Sequence, residues 1–148
     1  MTETKTTQRV LVADDDQSIR QLVATIVRRE RFEVDAAADG QEAIDKLRDH
    51  EYAVILLDLM MPRVDGFGVI AHLRENPPRI KPVVLVISAY ADQKFKDVDP
   101  HVVAGVIRKP FEVADLGVLI RLCIAGFDDH LASRPLEVAE RPAEPLSN

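Results

Sequence analysis

Short apolar runs alternate with amphipathic stretches along most of this chain, and that alternation constrains the fold more than any other feature. Val10-Leu11-Val12-Ala13 is a continuous apolar run ending in three aspartates, the pattern of a strand buried on both faces. Ile19, Leu22, Val23, Ile26 and Val27 then recur at helical spacing, with Asp16 placed to cap them. Phe32 to Ala37 predicts a second, weaker strand. Asp39-Gly40-Gln41-Glu42 has the form of a capping box for a short helix with Ala43, Ile44 and Leu47 on its apolar stripe. Ala53 to Leu57 is a third strand ending on Asp58. Phe67, Ile70 and Leu73 mark a third helix after the Asp65-Gly66 turn. Val83 to Ile87 is a fourth strand ending at Ser88, and Ala91 to Val98 a poor helix closed by Pro100. Val106-Ile107 is a short fifth strand before Arg108-Lys109-Pro110, and Val113, Leu116, Leu119, Ile120 and Cys123 line a last helix. Five strand-helix units in series predict an α/β fold, a five-stranded parallel sheet with helices on both faces.

The bulk properties narrow the class. A chain of 148 residues suits one domain with tails. From about Asp128 the pattern dissolves, and Pro135, Pro142 and Pro145 among scattered charges predict a flexible tail. The expected division is therefore a flexible N-terminus over 1–8, a domain over 9–127 and a C-terminal tail over 128–148. The roughly twenty residues after Phe127 are too few for an output domain of their own. The formal net charge of −6 argues against a phosphate-binding basic surface, so no direct DNA contact is expected. The single cysteine, Cys123, allows no intrachain disulfide. Neither an apolar leader nor a run long enough to span a membrane is evident, so a cytoplasmic location is expected.

Open parallel sheets place function beyond the carboxyl ends of their strands. Those ends carry Asp14, Asp15 and Asp16 on the first strand, Asp58 on the third, Ser88 on the fourth and Lys109 on the fifth. Singly, each has an ordinary explanation: a helix cap, a turn residue, a loop hydroxyl, a surface charge. Gathered at one edge, the carboxylates repel one another unless a cation neutralises them. Hard carboxylate oxygens suit Mg2+. A carboxylate there can attack a phosphoryl donor and form an acyl phosphate, with Lys109 and Ser88 facing the transferred group.

These motifs, Val-Leu-Val-Ala-Asp-Asp-Asp at 10–16, Leu-Leu-Asp-Leu-Met-Met-Pro at 56–62, Asp65-Gly66, Ile-Ser-Ala at 87–89 and Lys-Pro-Phe at 109–111, resemble the receiver domain of bacterial response regulators from about Arg9 to Ala125. The resemblance implies the flavodoxin-like strand order 2-1-3-4-5. It implies that Asp58 is phosphorylated, with Ser88 as the switch hydroxyl and Lys109 as the phosphate-pairing lysine. By the same resemblance Mg2+ is held by Asp14, Asp15, Asp58 and the backbone carbonyl of Met60, and the Lys109-Pro110 peptide is cis. It makes the chain a phospho-acceptor catalysing its own phosphorylation and dephosphorylation rather than an enzyme. The chain is then expected to be a stand-alone receiver that takes the phosphoryl group from a sensor histidine kinase or histidine phosphotransfer protein and signals by binding a downstream protein or by phosphorelay. The alternative is a phosphorylation-independent pseudo-receiver used as a binding module. An aspartate phosphatase would want a second aspartate at position 60, which is Met, and a flavin protein would want hydroxyls and glycines where the aspartates stand. One departure concerns the switch. The family's strand-five aromatic, three residues before the lysine, is replaced by Val106, which shifts the expected readout to Ala89–Val103 with Tyr90 as a gate or shield.

Overall fold

The computed structural model describes residues 8–89 and 98–130. Five strands, β1 (Arg9–Ala13), β2 (Glu33–Ala37), β3 (Val54–Leu57), β4 (Val83–Ser88) and β5 (Val103–Arg108), form one sheet of order β2-β1-β3-β4-β5. Every neighbouring pair is parallel. Among the described residues four helices flank it: α1 (Gln17–Arg29), α2 (Gly40–Asp49), α3 (Gly66–Glu75) and α4 (Val113–His130). This is the predicted α/β architecture and strand order. The weak helix expected over Ala91–Val98 lies, except for Val98, outside the described residues, as does Tyr90. So do residues 1–7 and, beyond α4, residues 131–148; α4 itself continues past Phe127 to His130.

The strands are apolar on both sides because both sides are covered. Leu11, Ala13, Ile55, Leu57, Val84 and Val86 join the core that packs under α2 and α3. The intervening residues Val10, Val12, Val54, Leu56, Leu85 and Ile87 join the core under α1 and α4. Successive strand side chains point to opposite faces, so one run of sequence supplies two cores. Helix faces are set by the same burial. Leu22, read as part of the α1 stripe, is exposed, whereas Ala24 is buried. Val113 is likewise exposed, and α4 buries Leu116, Ile120, Cys123 and Ile124.

The helix starts hold the loops above the sheet in place. The Asp16 carboxylate accepts from the Ser18 and Ile19 amides at 2.9 and 3.2 Å, and Asp65 caps α3 by accepting from Gly68 N at 3.0 Å. Asp39 accepts from Glu42 N at 2.9 Å, while the Glu42 carboxylate reaches back to Ala38 N at 2.7 Å. The capping box read from the sequence therefore forms, with its return bond one residue before the cap.

Gly66, the first residue of α3, sits against the backbone just beyond β3. A Cβ there would lie 2.5 Å from the Asp58 carbonyl oxygen and 2.6 Å from the Leu59 Cα. Both are backbone atoms with little room to yield. Gly66→Ala is expected to destabilise the domain by about 2 kcal/mol in urea denaturation, a typical cost of overpacking. Gly117 in α4 is the control, since its added Cβ would meet nothing closer than 3.5 Å. Gly117→Ala should stabilise by about 0.5–1 kcal/mol through helix propensity. Equal effects at both sites would contradict the steric argument.

Candidate functional site

At the carboxyl edge of the sheet the strand ends meet as the topology requires. β1 and β3 are neighbours, so Asp14 and Asp58 come side by side; the Asp58 amide donates to the Ala13 carbonyl at 2.9 Å. Asp14 is 3% exposed and Asp58 5%, whereas Asp15 faces solvent. Carboxylate oxygens of Asp14, Asp15 and Asp58 all lie within 4.8 Å of one another. β5 brings up Lys109, whose Nζ is 2.9 Å from Asp14 Oδ2 and 3.3 Å from Asp58 Oδ2. Ser88 ends β4, fully buried, and its carbonyl accepts from Lys109 N at 3.2 Å. The Lys109-Pro110 bond is cis. The structure thus brings Asp14, Asp15, Asp58 and Lys109 together and sets Ser88 beside Lys109. Met60 lies two residues after Asp58 in the loop, its amide donating to Asp58 Oδ1 at 3.2 Å and its side chain exposed.

The electrostatics are those of a crowded anionic site. Burial pushes the Asp58 carboxyl up to about 6, and the neighbouring Asp14 charge adds to the rise. The Met60 amide and the Lys109 ammonium work against it. Burial also opposes the charge on Lys109, but its hydrogen bond to Asp14 and the two carboxylate charges outweigh this and hold the ammonium above its ordinary range. One lysine therefore serves as cation to two buried carboxylates, with the exposed Asp15 carboxylate close beside them.

That arrangement fits a hard divalent cation. Opposite oxygen ligands of one Mg2+ lie about 4.2 Å apart at its usual bond length, and the three carboxylates bring oxygens within 4.8 Å of one another. The bridging position of Lys109 shows that positive charge is favoured there. Carboxylate oxygens of Asp14, Asp15 and Asp58 are the donors that would hold the ion.

Two arginines near the site carry no local sequence signal. Arg20 on α1 donates from Nη1 to the Asp14 carbonyl at 2.8 Å, supporting the turn that carries both acidic residues. Arg63, in the loop after Asp58, forms a fork with Asp39. Val106, at the position of the family's aromatic, is 9% exposed and packs in the core under α2 and α3.

Comparison with known proteins agrees with this geometry. The sequence matches the response regulator receiver domain over residues 10–121, and the chain belongs to that family. The transcriptional regulatory protein SrrA of Staphylococcus aureus is 45% identical over 67 residues, 45% of this chain and 28% of that protein. The chain thus spans well under half the length of the curated relatives it matches. Because that relative is a transcriptional regulator, the comparison lends no support to the expectation of no direct DNA contact. The chemotaxis response regulator CheY4 of Vibrio cholerae superposes with a TM-score of 0.71 at 29% identity, over 80% of this chain and 99% of that one. The response regulator TrrA of Thermotoga maritima, solved in complex with Mg2+-BeF, gives 0.69 at 26% identity, over 78% and 98%. Among the described residues no helix is long and apolar enough to cross a membrane.

Proposed function

We propose that this domain accepts a phosphoryl group on Asp58 from the phosphohistidine of a sensor kinase or phosphotransfer protein, and signals in the cytoplasm through contact with a downstream protein. The observation that carries this reading is the buried Asp58 carboxylate joined to Lys109 beside Asp14 and Asp15. In the transfer, an Asp58 oxygen forms a bond to phosphorus as the phosphorus–nitrogen bond of the donor breaks, and the histidine nitrogen keeps the electron pair. The product is an acyl phosphate.

Each residue has a task set by its position. Lys109, already 3.3 Å from Asp58, neutralises charge on the arriving phosphoryl oxygens. Ser88 supplies a hydroxyl donor from the neighbouring strand end. Asp14, Asp15, Asp58 and the Met60 carbonyl would hold Mg2+, which would supply positive charge against the phosphoryl oxygens. The likeness to TrrA, solved with Mg2+-BeF, supports a Mg2+ site in this domain. Incubation with acetyl phosphate and Mg2+ tests the reading. A phosphoryl adduct on Asp58 by mass spectrometry supports it; an unmodified protein would favour the phosphorylation-independent binding module.

The metal assignment has its own expected outcome. Asp15→Ala removes the solvent-facing carboxylate and should weaken Mg2+ binding about tenfold or more by calorimetry, since Mg2+ sites rely on few protein carboxylates. Wild-type Mg2+ affinity in that variant would place the ion elsewhere.

A further inference from the structure

The loop from Leu59 to Asp65 must present Met60 beside Asp58; Leu59 and Met61 sink into the core and Asp65 caps α3, while Met60, Pro62 and Arg63 are exposed between them. The exposed stretch has an anchor of its own across the surface on α2. Arg63 adopts φ 66°, the left-handed region that glycine enters without strain and other residues avoid. An arginine in that conformation calls for a use of its side chain. Arg63 Nε donates to Asp39 Oδ2 at 2.9 Å and Nη2 to Oδ1 at 3.0 Å, a two-pronged pair. The Asp39 side chain is only 13% exposed. Arg63 and the Glu42 amide together hold its carboxyl below the usual range.

A second contact fastens the same segment. A Cβ at Gly40 would overlap the Val64 carbonyl, so the backbone after Arg63 lies directly on the first turn of α2. The preceding turn is tied back to the acidic edge, because Asp14 N donates to the Ala37 carbonyl at 3.1 Å. A continuous chain of contacts therefore runs from Asp14 through the β2–α2 turn to Asp39, Arg63 and the loop following Asp58.

We infer that the Arg63–Asp39 fork is a latch that holds the loop after Asp58 on the N-terminus of α2, making Arg63 and Asp39 positioning residues for the cation and phosphoryl site. This rests on the reading of Asp14, Asp15, Asp58 and the Met60 carbonyl as that site. Arg63 is 59% exposed, and an ordinary exposed ion pair contributes little. The fork geometry, the left-handed arginine and the Gly40 contact set this pair apart.

Three variants separate latch from surface pair. Arg63→Gly relieves the backbone and removes the fork. Asp39→Asn keeps an oxygen to cap α2 but removes the charge. Arg63→Lys keeps the charge without the fork. In titration calorimetry with Mg2+, the first two are expected to bind about tenfold more weakly than the wild type, the lower end for lost outer-shell partners. Arg63→Lys should recover part of the loss. In EDTA, amide exchange at Gly66, which donates to the Leu59 carbonyl at 2.9 Å, should accelerate in Arg63→Gly, while its melting temperature stays at or above that of the wild type. Wild-type Mg2+ affinity and Gly66 exchange in Arg63→Gly would overturn the latch and leave the site reading standing. A wild-type protein that takes up no Mg2+ would overturn both.

Discussion

Asp58→Asn is expected to abolish labelling by acetyl phosphate and, in the absence of metal, to make the domain more stable at neutral pH. The first effect follows from removal of the attacking oxygen. The second follows from burial. In the folded protein the Asp58 carboxyl is raised to about 6, chiefly by desolvation and then by Asp14. A carboxyl raised above its unfolded value destabilises the fold once ionised. The penalty is absent below about pH 4, grows through the interval up to about 6 and is complete above it. At about 1.4 kcal/mol per pH decade the full penalty is roughly 3 kcal/mol. Asparagine gives part of that back, because one amide oxygen cannot serve both the Met60 amide and Lys109. A net gain of about 1–2 kcal/mol is therefore expected. Urea denaturation in EDTA at pH 7.5 and at pH 3.5 checks it: the variant should lead at the first pH and match the wild type at the second. A variant less stable at pH 7.5 would contradict the burial argument, and a fully labelled one would remove Asp58 from its role.

Lys109→Met should act in the opposite direction. Methionine keeps much of the apolar stem but leaves Asp14 and Asp58, 5% and 7% exposed at their side chains, without their shared cation. Removing one partner of a buried pair typically costs about 3–5 kcal/mol. Here about 2–3 kcal/mol is expected in EDTA at pH 7.5, since Lys109 is 18% exposed and the freed carboxyl can take up a proton. The raised Lys109 ammonium is itself charged across this range, so the pH dependence comes from its partners. As acid neutralises the carboxyls, the loss should shrink. Added Mg2+ should also reduce it by supplying the missing positive charge. Denaturation curves at two pH values, with EDTA or Mg2+, decide the matter. A loss of equal size in every condition would mean that Lys109 matters through packing alone. Labelling of this variant should be slow even with Mg2+ present, because no ammonium meets the phosphoryl oxygens.

The acidic edge was largely legible in the sequence because each contributor closes an apolar run, and parallel strands deliver their ends to one edge. Asp14, Asp58 and Ser88 needed only the strands to be recognised. Lys109 needed β5, of which Val106-Ile107 was the visible part. Its first half was hidden because Ala104 and Gly105 carry little apolar signal, although Val103 and Gly105 pair with β4 across an irregularity at Val84/Leu85. Asp39 was legible as a helix cap, a local property, but its fork with Arg63 spans 24 residues and leaves no periodic trace. The same holds for Asp35, which accepts from Tyr52 Oη at 2.7 Å and from Arg9 at 2.9 Å. Leu22 matched the helical period yet faces solvent, because period alone does not say where a packed stripe ends.

The two margins of the sheet are chemically unlike. β5 presents Val103, Ala104, Gly105, Val106 and Ile107 before its terminal arginine. β2 begins with Glu33, carries Asp35 two residues on, and has Arg9 of β1 reaching across to both. A second strand laid along β2, from another copy or an unfolded chain, would have to run its backbone past this charged ladder and lose the water around it. The chain's net charge of −6 opposes the approach of a like molecule as well. That margin is thereby guarded against the runaway strand addition to which open sheets are prone.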